Sequence, residues 1–171
     1  WSDALYYFYP HVDKKKMLSI SITERGQYLT EVLRNVWDDL SKELDQKVEL
    51  YNLHFNRYHA QIEDALSEAF EMDTSSIFND LKAYITLNPV CPRFLKEKYF
   101  DVFYKNSERG ALGMSIHEII HYIWFYVWHN HFRDDYEEYD QPSLKWILSE
   151  MVVESIMDDN RLSSINPYYP R

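Results

Sequence analysis

From about Thr23 to Met72 the apolar positions recur three and four residues apart. Leu29, Leu33, Val36, Leu40 and Leu44 form one stripe, and Tyr51, Phe55, Tyr58, Ile62, Leu66 and Phe70 continue it. Residues at that spacing share one face of a 3.6-residue helix, and no proline interrupts the stretch. The pattern therefore predicts two helices or one long kinked helix. Ahead of it, Met17 to Ile22 alternates, with Leu18, Ile20 and Ile22 on one side, and reads as a half-buried strand. The aromatic run Leu5 to Tyr9 fits either a strand or an anchor.

Beyond a turn over Asp73 to Ser76 the alternation returns. Leu81 to Leu87 reads as a strand stopped by Asn88-Pro89, Tyr99 to Tyr104 as a second strand, and Lys105 to Gly113 as a loop. Ser115 to Trp128 is apolar on most faces, through Ile116, Ile119, Ile120, Ile123, Trp124 and Val127, which suits a helix buried at the centre of a domain. Ser115 has the position of an N-cap, with Glu118 at the spacing of a capping box. A polar, aromatic loop follows from about His129 to Gln141. Pro142 and Ser143 then open a last helix, Leu144 to about Leu162.

Strands and helices in this order predict an α+β fold in one domain, residues 1–171. It has long N-terminal helices, a small sheet, a central helix and a C-terminal helix. Composition agrees: 46 per cent of the residues are hydrophobic, and three glycines and six prolines leave little material for linkers. The net charge of −10 argues against a nucleic-acid or anionic-membrane surface, since phosphate binding needs clustered Lys and Arg. The one basic cluster, Lys14-Lys15-Lys16, reads as a solvated turn. Cys91 is the only cysteine, so an internal disulfide and a thiolate zinc site are both excluded. No apolar run is long enough to span a bilayer and no signal peptide is visible, which makes the cytoplasm the default expectation. The chain begins at Trp1 rather than Met, which leaves room for a removed upstream segment.

The central helix carries the candidate chemistry, His117-Glu118-Ile119-Ile120-His121. Two histidines four apart on a helix face can reach one metal ion, and a glutamate beside the first can take a proton from a water on the ion's open side. The competing reading makes His117 and His121 core histidines satisfied by neighbours and Glu118 a cap. Against it, two His and a Glu are costly to bury in an apolar helix without a reason. A catalytic zinc usually keeps three protein ligands, and the last helix offers Glu150, Glu154 and Asp158, four apart on one face.

Strands, an H-E-x-x-H helix and then a helix with a glutamate resemble the gluzincins, the thermolysin-like zinc peptidases and zinc aminopeptidases. Leu148 to Glu154, with a small polar residue before the first glutamate and Trp146 ahead of it, is similar to their third-ligand segment. The resemblance covers roughly Leu81 to Leu162. It implies Zn²⁺ held by His117, His121 and Glu150, with Glu154 orienting a ligand. The rival register makes Glu154 the ligand and Asp158 its partner. Glu118 would be the general base, and Tyr136, Tyr139, His129 and His131 are candidate donors to the oxyanion. The strand Tyr99 to Tyr104 resembles the edge strand that pairs with an extended peptide or protein substrate. The chain departs from the family in three ways. Its gap from His121 to Glu150 is longer than in thermolysin, it has no counterpart to the exopeptidase motif, and it lacks thermolysin's second large domain. Three functions compete: a small zinc peptidase, an inactive metal-binding interaction module of the same fold, and a metal-free helical protein.

Overall fold

The computed structural model describes residues 2–10, 12–134 and 143–166. These form seven helices and three strands. In chain order they are α1 (Ser2–Phe8), α2 (Lys14–Ser19), α3 (Ile22–Ala69), α4 (Ser75–Asp80), β1 (Lys82–Thr86), β2 (Arg93–Phe94), β3 (Tyr99–Phe103), α5 (Glu108–Phe132), α6 (Leu144–Met157) and α7 (Asn160–Ile165). The molecule is mostly helical with a small mixed sheet, as the α+β reading requires.

The long amphipathic stretch is one helix, α3, of 48 residues, about 72 Å at 1.5 Å per residue. It starts at a capping box. The Ser21 hydroxyl accepts from Glu24 N–H, and the Glu24 carboxylate accepts from Ser21 N–H at 2.8 Å. That box corrects the strand expected over Met17–Ile22. Asp13 caps a short helix there, accepting from Lys15 and Lys16 N–H. Leu18 and Ile22 are exposed, so no half-buried face exists. The first aromatic run is also helical, as α1.

The two halves of the α3 stripe serve different cores. Leu29, Val32, Leu33, Val36, Leu40 and Leu44 pack with Leu5, Tyr9, Val12 and Met17 of the N-terminal segments and with Phe103 and Tyr104. Tyr51, Phe55, Tyr58, Ile62 and Leu66 pack with Ile116, Ile119, Ile120 and Ile123 of α5 and Val153 and Met157 of α6. Leu66 is fully buried in that second cluster. Leu66→Ala is expected to cost about 2–5 kcal/mol of stability through the lost transfer energy and the cavity left behind. Urea unfolding should show a lower midpoint, with no change in metal content, since Leu66 lies on the helix that carries none of the candidate ligands.

The sheet order is β1-β3-β2, with β1 parallel and β2 antiparallel to β3. Tyr99–Phe103 is therefore the middle strand, which corrects its expected role as the edge. The edge beside α5 is the two-residue β2, paired Arg93 to Phe100 and Phe94 to Tyr99. The Tyr122 hydroxyl of α5 lies 2.8 Å from Phe94 O and 2.5 Å from Tyr99 O, pinning both strands to the central helix. Cys91, in the turn before β2, is buried and receives Phe103 N–H at its sulfur, 3.2 Å away. Burial pushes its thiol up to about 11, so it packs rather than reacts.

Candidate metal centre

Helix α5 begins at Ser107, whose hydroxyl accepts from Gly110 N–H at 3.0 Å. It therefore starts well before Ser115, and the loop expected up to Gly113 is mostly helix. Ser115 is no cap: its hydroxyl donates to Ala111 O at 2.8 Å within the helix. The capping-box reading of Glu118 falls with it, leaving a buried glutamate in mid-helix that is 4 % exposed. The helix runs on to Phe132 and ends at Arg133 in the left-handed region, φ 57°.

Ser143 opens α6, accepting from Trp146 N–H at 3.1 Å. Asp134 draws the start of α6 toward the end of α5, accepting from Trp128 Nε1 at 2.8 Å and pairing with Lys145. Ser149 is fully buried, with its hydroxyl satisfied by Trp146 O at 2.7 Å. A residue that small lets α6 pack close, and the next residue is Glu150. The expected single last helix is two, because Asp159 caps a new turn by accepting from Arg161 N–H at 2.9 Å.

His117, His121 and Glu150 converge. Each offers one ligand atom, and the three atoms lie within 4.8 Å of one another. His117 Nε2 is 3.0 Å from His121 Nε2 and 3.6 Å from Glu150 Oε2, and His121 Nε2 is 3.3 Å from Glu150 Oε1. Bonds of about 2.0–2.1 Å in tetrahedral geometry put ligand atoms about 3.3 Å apart, close to these contacts, in which each Glu150 oxygen faces a different imidazole. The donor set, two imidazoles and a carboxylate, also suits zinc. Among the described residues, then, the site fits the ion that the motif implies.

Burial, together with the neighbouring His121, holds the His117 imidazole down to about 4, and burial lowers His121 as well. Both shifts favour the neutral imidazole, in which one ring nitrogen carries the proton and the other is free to ligate, as metal binding requires. Burial raises the Glu150 carboxyl, but its hydrogen bond to His121 and the neighbouring His121, His117 and Arg93 outweigh this and hold it below the usual range. Burial pushes Glu118 up to about 7, against the pull of Arg93. A cation at the triad would draw Glu118 back down. Its Oε1 lies 4.0 Å from His117 Nε2.

Arg93 is the site residue that sequence reasoning missed. From β2 its guanidinium lies 3.5 Å from Glu118 Oε2 and 3.8 Å from Glu150 Oε1, and its side chain is only 15 % exposed. The one signal available was a lone basic residue inside the apolar run Cys91-Pro92-Arg93-Phe94-Leu95.

The other sequence candidates lie elsewhere. Glu154 and Asp158 are exposed, one and two turns beyond Glu150, and are not part of the converging group. His129 and His131 sit in the last turn of α5, about 12 and 15 Å beyond His121 along the axis. His129 faces Asp134 at 3.8 Å. Tyr136 and Tyr139 fall outside the described residues.

Among the described residues no helix is long and apolar enough to cross a membrane. Comparison with protein-family models, with curated proteins and with solved structures finds no match to this chain. What the site does has to follow from its own chemistry.

Proposed function

We propose that this chain is a zinc-dependent peptidase of the gluzincin type, acting on a peptide or protein substrate. The observation that carries this reading is the convergence of His117, His121 and Glu150 to 3.0–3.6 Å, with the Glu118 carboxylate beside them.

His117 and His121 from one helix face, and Glu150 from α6, would hold the ion. A zinc ion held there would supply Lewis-acid polarisation and a water of lowered pKa. Glu118 would serve as the base that takes a proton from an attacking water and returns it to the leaving nitrogen. The buried setting keeps competing water away from the carboxylate and strengthens its electrostatic interactions. The outer edge of β2 has no strand partner among the described residues, and Arg93 projects from that strand to the site. An extended peptide that paired with that edge would lie beside the strand that carries Arg93.

The test is metal content joined to activity. Purified protein is expected to carry about one zinc per chain, and its peptide-cleaving activity should vanish with a chelator and return with added zinc. A chain that takes up no zinc even when zinc is added back overturns the reading and leaves a helical protein with an acidic surface.

A further inference from the structure

We propose that Arg93 is a positioning residue that holds the Glu118 carboxylate in its working orientation, an inference that rests on the peptidase reading above. The two oxygens of Glu118 have different surroundings. Oε2 faces the Arg93 guanidinium at 3.5 Å, and Oε1 faces His117 Nε2 at 4.0 Å. Oε2 is buried and receives no hydrogen bond from the described residues, so the ion pair with Arg93 is what compensates its charge. A carboxylate held this way on one oxygen presents the other to the metal ligands, where a water would have to lose its proton.

Arg93 is itself held. Its strand is registered on β3, with Asp101 N–H donating to Pro92 O at 2.9 Å just before it. Its guanidinium lies over the buried Phe125 ring, 5.7 Å from the centroid. The planar fork reaches toward Glu118 with one nitrogen and toward Glu150 with the other. Once Glu150 is committed to a metal, the contact with Glu118 remains.

Coulomb's law separates this role from a part in metal binding. A guanidinium 3.8 Å from a ligand oxygen repels an incoming cation. Arg93 also keeps Glu150 ionised, so its net effect on zinc affinity is expected to be small, and its contribution is expected at Glu118.

The experiment measures zinc affinity by competition with a chromophoric chelator, and kcat and KM on a quenched fluorescent peptide. The proteins are the wild type, Arg93→Gln, Arg93→Lys, Glu118→Gln and the double variant Arg93→Gln with Glu118→Gln. Arg93→Gln is expected to bind zinc about as tightly as the wild type, lose about 10- to 100-fold in kcat, and keep its KM. Arg93→Lys keeps the charge without the fork, so zinc affinity should hold while kcat falls by an intermediate amount. In the Glu118→Gln background the Arg93 change should cost nothing further, because the group it positions is gone.

Three results would overturn the inference: unchanged kcat in Arg93→Gln, a fall in kcat matched by loss of zinc, or the same cost in both backgrounds. Loss of a buried partner can prevent folding, in which case Arg93→Lys alone and with Glu118→Gln carries the same test. A wild-type chain lacking zinc or cleavage overturns the peptidase reading and this inference with it. Zinc and cleavage present, with Arg93 variants like the wild type, overturn this inference alone.

Discussion

Glu118→Gln is expected to lower kcat for peptide cleavage by about 10²- to 10⁴-fold, the usual worth of a positioned general base, while about one zinc per chain stays bound. Gln has the same shape as Glu but cannot accept a proton at neutral pH. The substitution removes the charge of a group that is 4 % exposed but leaves Arg93 with Glu150 alone as its counter-charge, so some loss of stability is expected. The metal stays because Glu118 is not among the three converging ligand atoms. Steady-state kinetics and metal analysis on one preparation check both halves. Cleavage that survives undiminished would show that Glu118 takes no proton. A wild-type chain that holds zinc but cleaves nothing would point instead to the metal-binding interaction module, since the ligands would then serve structure or recognition.

Glu150→Ala is expected to remove zinc. Residues that merely orient a metal ligand are worth about 10- to 100-fold in affinity, so deleting a ligand should exceed the upper figure. The variant should emerge with little zinc and no metal-dependent cleavage. Glu154→Ala is the control. Glu154 is exposed on the following turn, and surface changes of that kind stay within about 0.5 kcal/mol, roughly twofold in affinity. Metal analysis of the two variants side by side decides between the registers. Zinc lost with Glu154 and kept with Glu150 would move the ligand by one turn.

The parts of the molecule that were legible in its sequence are those where local pattern and final environment agree. The α3 stripe, the β3 alternation and the apolar positions of α5 from Ile116 to Ile123 point inward, as their periods require, whereas β1 leaves Ala83 and Tyr84 exposed. The pairing of His117 with His121 follows from helix geometry alone. The errors have local causes. Ser115 looks like a cap because serine caps helices, yet its hydroxyl bonds back to Ala111 and the true start is Ser107. Leu18, Ile20 and Ile22 alternate over too few residues to distinguish a strand from helical turns, and the Ser21–Glu24 box beside them was the better signal. Strand order, which makes β3 central and β2 the edge, is a tertiary fact with no local trace. Arg93 is hidden for the same reason: its partners, Glu118 and Glu150, come from α5 and α6 rather than from its own neighbourhood in sequence.

The two-residue length of β2 also bears on how the protein behaves when concentrated. An exposed sheet edge is a template on which another chain's strand can add, and long flat edges drive aggregation. Here one edge is too short to template more than a residue pair, and the other, β1, opens on the exposed Lys82. With ten excess negative charges on the chain, copies repel before strands can meet. An edge suited to a brief encounter with an extended peptide is thus unsuited to seeding a fibril.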